Sequence, residues 1–209
     1  MKFTPDQVSF TRGEIRAILA HAGADPYRAN LHGAYLDLAC GRLWASDGST
    51  LAVCAKSSDA IAVPPDGAPV LVPRALLGVA ARFHVGRFAV KDGTLEWSGW
   101  TRAMARDLEV DARTLPSASL RVLPATPPSP IDYAVVLGIA RTTGDGAASR
   151  VGYAPARLAG LAALRDAGVV ALRTRTPTSP TAPLVAEAKG HGGCAWLALV
   201  MPYRLEDCP

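Results

Sequence analysis

The sequence predicts an α+β fold built from repeated units of one helix and several antiparallel strands, and three observations predict it. A helical stretch followed by alternating apolar and polar residues recurs along the chain. Turn signals at Cys40-Gly41, Asp47-Gly48 and Asp92-Gly93 cut the alternating stretches into strand-length pieces. Prolines stand at the expected starts of the later helices, where a fixed φ and a missing N–H cost nothing. With 49% apolar and 19% charged residues among 209, the chain can bury a sizeable core.

The first unit opens with FTRGEIRAILAH (residues 10–21), which sets Ile15, Ile18 and Leu19 at helical spacing behind Thr11 as cap. LHGAYLDLACGRLWASDGSTLAVCA (31–55) then reads as three short strands, and a Pro- and Gly-rich stretch follows from Pro64 to Pro69. In the second unit, PVLVPRALLGVAARF (69–83) gives a strand and a helix opened by Pro73, and RFAVKDGTLEWSG with TRAMARDLEVDA gives strands up to residue 112. A third copy, RVGYAPARLAGLAALRDAG (150–168), gives a strand and a helix begun at Pro155, with Leu158, Leu161 and Leu164 on its apolar face. VVALRTRTPT, PLVAEAK and CAWLALVMPYRL supply its strands. LPSASLRVLPATPPSP (115–130), with five prolines, reads as a linker or edge crossing, and IDYAVVLGIA after it is a short apolar segment, one helix or strand. Two domains are therefore expected, 1–121 and a shorter 122–209.

Several function classes are disfavoured. No run nears the roughly 18–20 apolar residues of a membrane span. Met1 to Phe10 carries no signal-peptide h-region, which points to the cytoplasm. Cys40, Cys54, Cys194 and Cys208 show no zinc spacing, so reduced and mostly packed thiols are expected. His21, His32, His84 and His191 sit in unrelated contexts, and no nucleophile elbow or phosphate loop occurs. Asp107 and Glu109 would share one face of a strand and read as a solvated face rather than an acid/base pair. Ser46-Asp47-Gly48-Ser49 reads as a hairpin, not a nucleophile. An enzyme is disfavoured and no cofactor or metal is implied. The +4 charge permits an acidic partner such as nucleic acid without demanding one.

WASDGSTLAV (44–53), VLVPRALL (70–77) and the terminal LALVMPYRL (197–205), in this order, resemble the bacterial sliding clamp, the beta subunit of the replicative DNA polymerase. RANLHGAYLDL (28–38) and DARTLPSASLRVLP (111–124) are similar to two further stretches of that family. The resemblance covers most of the chain, in register with the family's second and third domains. It implies a DNA-clamp fold, with the family's first domain missing and the first half of the last compressed to about residues 131–150.

The resemblance further implies a groove for short linear peptides, at Arg28, Leu31, Ser46, Gly48, Leu51, Pro124, Val200, Met201, Pro202, Tyr203 and Arg204. Ser46 stands for a Thr there, Tyr203 for a Met, and Ala29 and Asn30 for tyrosines beside DNA. It also implies arginines facing the DNA backbone, Arg12, Arg16, Arg74, Arg82, Arg157 and Arg165, which would attract phosphates without reading sequence. The implied partners are double-stranded DNA, a polymerase, other clamp-motif proteins and a clamp loader. The implied function is a replication processivity factor. A two-domain subunit would have to trimerise to supply the six domains of a ring. The alternative is a clamp-derived interaction module that binds clamp-motif peptides without closing a ring.

Overall fold

The computed structural model describes residues 6–65, 69–102, 116–123, 131–142, 153–175, 177, 179, 181–190 and 193–202. Two interlocked units form its first part. The first runs β1 (Gln7–Thr11), α1 (Arg12–His21), β2 (Gly33–Asp37), β3 (Arg42–Ser46) and β4 (Thr50–Ala55), followed by the short α2 (Ser58–Ala62). The second runs β5 (Val70–Pro73), α3 (Arg74–Ala80), β6 (Val85–Lys91), β7 (Thr94–Trp100) and β8 (Ala118–Val122). Each unit lends its first strand to the other, so β1 pairs with β6 and β5 with β2, all antiparallel. The rest of the chain adds α4 (Tyr133–Thr142), α5 (Pro155–Ala162), a 3-10 turn (Ala163–Ala167), β9 (Arg173–Arg175), β10 (Leu184–Lys189) and β11 (Ala195–Val200).

The strands make a four-stranded sheet, β1-β6-β7-β8, and a seven-stranded sheet, β5-β2-β3-β4-β11-β10-β9. The β4–β11 ladder, Thr50↔Val200 through Ala55↔Ala195, welds the C-terminal strands onto the first unit. Both faces of the larger sheet are covered, which is why β2, β3, β4 and β11 are buried along their whole length. On one face Leu36, Leu43, Ala52, Cys54 and Trp196 meet Ile15 and Ile18 of α1 and Leu76 and Leu77 of α3 in the main core, which also takes Phe10, Phe88 and Trp97 from the other sheet. On the opposite face Tyr35, Trp44, Leu51, Val53, Leu197 and Leu199 lie under α4.

Local chemistry explains the elements. Thr11 closes a full capping box with Glu14, satisfying two otherwise orphaned N–H groups. Gly13 lets α1 approach the 3-10 turn, because a Cβ there would lie 1.7 Å from the Asp166 carbonyl oxygen. Positive φ at both Asp92 and Gly93 gives the turn geometry that matches strand twist in the β6–β7 hairpin. Arg42 is wholly buried, pairs with Asp37 at 2.6 Å across the β2–β3 hairpin, and donates to the Ala60 carbonyl of α2. Its guanidinium lies 3.9 Å from the centroid of the Tyr133 ring, so one cation fastens α2 and α4 to the sheet.

The structure corrects some expectations and decides others. The last strand of the second unit is β8, inside the proline-marked stretch read as a linker or edge crossing; its prolines, Pro116 and Pro124, flank the paired residues. The strand expected over 101–112 lies almost wholly outside the described residues, as do Asp107 and Glu109. The segment from Ile131, expected as one helix or strand, contains a helix, α4, with Tyr133, Val136, Leu137 and Ala140 buried. α5 stops at Ala162, so Leu164 sits on the 3-10 turn, and Leu158 points outward at 38% exposure rather than along a buried face. The short α2 was not expected. Among the described residues no helix is long and apolar enough to cross a membrane.

Candidate functional site

The groove residues come from three separate stretches, and one end of the β4–β11 ladder gathers them. The β3–β4 hairpin tip is fixed by its own side chains. Asp47 accepts from the N–H groups of Ser49 and Thr50 at 2.7 and 2.6 Å, and Ser46 Oγ donates to the Thr50 carbonyl at 2.7 Å while accepting from Gly48 N–H at 3.0 Å. Serine thus performs the local bonding at position 46. The loop before β2 folds onto this tip, since a Cβ on Gly48 would stand 3.2 Å from the Arg28 guanidinium nitrogens and 3.4 Å from a Leu31 methyl. The chain leaving β11 arrives beside it, with Met201 N–H donating to the Ser49 carbonyl at 2.8 Å. Arg28, Leu31, Ser46, Gly48, Leu51, Val200, Met201 and Pro202 therefore converge, whereas Pro124, Tyr203 and Arg204 lie outside the described residues.

The floor and rim of this site differ. Leu31, Leu51 and Val200 are buried and Ser46 nearly so, while Met201 is 39% exposed and Arg28 faces solvent. An apolar floor with one polarizable, partly open side chain and a guanidinium at the edge can take an apolar anchor and a carboxylate or carbonyl beside it.

Two supports of the site escape motif reading. His21, the last residue of α1, is fully buried and holds Gly160 of α5 through Nε2 at 3.1 Å and Thr50 Oγ1 through Nδ1 at 3.0 Å. Because a carbonyl only accepts, Nε2 carries the proton. Burial keeps the imidazole pKa below its ordinary value, against the smaller pull of the Gly160 bond and the Asp47 charge. Arg157 on α5 donates to the carbonyls of Met201 and Pro202 at 3.1 and 3.0 Å, fixing the chain where it leaves the sheet. Arg157 is thus a support of the groove as well as a member of the implied DNA set. No spacing in the sequence signals either link, since both join residues far apart in the chain.

The remaining implied DNA contacts divide. Arg12 and Arg16 project from the exposed stripe of α1, one turn apart, and Arg82 after α3 and Arg165 on the 3-10 turn are exposed as well. Arg74 is half-buried and donates to the carbonyls of Leu19 and Ala22, closing the C-terminal end of α1. Arg12, Arg16, Arg82 and Arg165 are thus exposed side chains on α1, just after α3 and on the 3-10 turn, and α3 and that turn both pack against α1.

No protein-family model and no curated protein matches the sequence. Solved structures do. A sliding clamp of the Pseudomonas aeruginosa DNA polymerase, solved with a ligand, superposes with a TM-score of 0.56 at 15% identity, over 98% of this chain and 68% of that one. The beta subunit of DNA polymerase III from Thermotoga maritima gives 0.56 at 12% identity, over 98% and 68%. A. fulgidus PCNA, in a structure with the C-terminal region of FEN-1 bound, gives 0.54 at 10% identity, over 95% and 98%. At these identities the likeness establishes the fold, and the fold is that of the sliding clamps.

Proposed function

We propose that this chain is a non-enzymatic scaffold of DNA replication and repair, a clamp-like processivity factor that associates with double-stranded DNA and holds polymerases and other proteins by a short peptide. In this reading residues 1–121 are one clamp-like domain and 122–209 a shortened second, and the protein works in the cytoplasm. The convergence of Arg28, Leu31, Gly48, Leu51 and Met201 at the end of the β4–β11 ladder carries the reading. Three stretches meet there, and beside the buried Leu31 and Leu51 they leave Met201 and Arg28 open to solvent. Arg12, Arg16, Arg82 and Arg165 supply the phosphate-attracting face, and no cofactor is called for.

One observation favours the second reading, a peptide-binding module that closes no ring. The two units of the first part are equivalent by exchange of their first strands, so β8 corresponds to β4. β4 is continued by β11, whereas among the described residues β8 is a sheet edge. A ring would need a neighbouring subunit to continue β8 as β11 continues β4. By the same symmetry that strand would come from the stretch between β8 and Tyr153, where α4 is the one element among the described residues.

Two measurements separate the readings. Titration of a fluorescent clamp-binding peptide from a bacterial replicative polymerase should give saturable binding that a scrambled peptide does not; failure of both peptides alike would remove the groove from either reading. Light scattering after size exclusion should show a trimer, three times 21.8 kDa, if the ring forms, and a smaller species if the module reading holds.

A further inference from the structure

At the other end of the same ladder lies a cluster that the groove does not use. Glu14 of α1, Cys54 and Lys56 of β4 and its continuation, and Cys194 just before β11 are packed together, with both cysteines and Glu14 buried. The Lys56 ammonium reaches both Glu14 oxygens at 2.9 Å and stands 3.4 Å from the Cys194 sulfur. The Cys194 thiol donates to Glu14 at 2.6 Å. The donor atoms of Glu14, Cys54 and Cys194 all lie within 4.8 Å of one another. Such a donor set has the spacing of a metal site, but an ammonium already occupies the position from which a cation would neutralise the carboxylate. A core needs none of this, since a buried ion pair is often no more stabilising than apolar residues of equal volume.

We propose that Cys54 and Cys194 form a thiol pair that peroxide converts to a disulfide, so that oxidation staples β4 to the start of β11. The two thiols are unequal in a way that assigns their roles. The Cys54 S–H hydrogen bond to Cys194, with the nearby Lys56 ammonium, favours the Cys194 thiolate and holds its pKa below the ordinary value despite burial and the Glu14 charge. Burial raises the Cys54 thiol well above its own. Cys194 therefore attacks first. Its sulfur forms a bond to one peroxide oxygen, the O–O bond breaks, and the leaving hydroxide takes up the thiol proton that Glu14 accepts. The resulting sulfenic acid is attacked by Cys54; the S–S bond forms, the S–O bond breaks, and a second water leaves. Two thiols and one hydrogen peroxide give one disulfide and two waters. Access is short, because Lys56 keeps 14% of its side chain exposed and Gly193, next to Cys194, is open to solvent.

The test uses the full chain. It is titrated with hydrogen peroxide, quenched with an alkylating agent and analysed by intact mass and peptide mapping without reductant. The expected product has lost two hydrogens, links Cys54 to Cys194, is reversed by dithiothreitol and raises the thermal unfolding midpoint. Cys54→Ser should instead leave a dimedone-reactive sulfenic acid at Cys194, and Cys40→Ser should leave the cross-link unchanged. Reaction of the pair with peroxide only after unfolding, an oxygen inserted between Lys56 and Cys194, or a cross-link using another cysteine would each overturn the proposal. The wild-type mapping alone decides, so a variant that fails to fold does not shield the idea.

Discussion

Met201→Ala is the perturbation that separates groove from core most cleanly. Met201 is 39% exposed and its backbone N–H, bonded to the Ser49 carbonyl, is untouched by the change. A fully open methionine shows on the order of 200 Å² of surface, so roughly 80 Å² remains for a peptide to cover. At about 25 cal/mol/Å² that is about 2 kcal/mol, of which the alanine methyl retains roughly a third. The expected loss is about 1.3 kcal/mol, close to ten-fold in affinity. The assay is fluorescence anisotropy of a labelled clamp-binding peptide, run beside thermal unfolding. Stability should move by less than about 0.5 kcal/mol, as for other substitutions at the surface. Val170→Ala provides the comparison, since Val170 is 95% exposed and lies away from the hairpin tip. Unchanged affinity in the Met201 variant, or an equal loss in the Val170 variant, would refute the placement of the groove.

Three further predictions concern what holds the site. Glu14→Gln strands the Lys56 ammonium in a buried position, and breaking such a pair costs about 3–5 kcal/mol; urea unfolding should show the lower end because Lys56 can reach solvent, and adding Lys56→Met should restore much of the loss. Gly13→Ala, a change worth about 1 kcal/mol of stabilisation in an exposed helix, should destabilise by about 3 kcal/mol here, because the new methyl meets the Asp166 backbone. His21 has a folded-state pKa below its ordinary 6.5, so the unfolded chain takes up the proton first. Stability from this site should be complete above about pH 6.5 and fall as the pH drops below it, and His21→Gln should abolish that part of the urea midpoint's pH dependence.

Much of the fold was legible because it rests on local signals. The Thr11–Glu14 capping box, the Asp92-Gly93 turn and the proline at the start of α5 each specify backbone conformation within a few residues. What escaped depends on contacts between distant segments. α4 spans YAVVLGIART, so uniformly apolar around Tyr133, Val136, Leu137 and Ala140 that no helical stripe stands out until the sheet face it covers is known. β8 was hidden by its flanking prolines, which bound an edge strand as readily as a linker. The Asp37–Arg42 pair could have been found, since opposite charges bracket the Cys40-Gly41 turn at facing positions. His21, set aside as one of four unrelated histidines, could not; its partners are 29 and 139 residues away.

The candidate site is a property of a seam rather than of either half of the chain. Leu51 and Ser46 belong to the first unit and Val200 to Pro202 to the C-terminal strands, and the six-pair β4–β11 ladder joins them. The supports are arranged along that seam: His21 and Arg157 at the groove end, and the Glu14, Lys56, Cys54 and Cys194 cluster at the other. Opening the ladder would therefore dismantle the groove and strip Leu197 and Leu199 from the layer under α4, while the strand pairing of β1 through β8 among themselves would stay. A peptide that bridges Leu51 and Met201 must in turn favour the closed ladder, because it binds that state alone. Ligand binding and any bond between Cys54 and Cys194 then act on the same equilibrium from opposite ends, and each should strengthen the other.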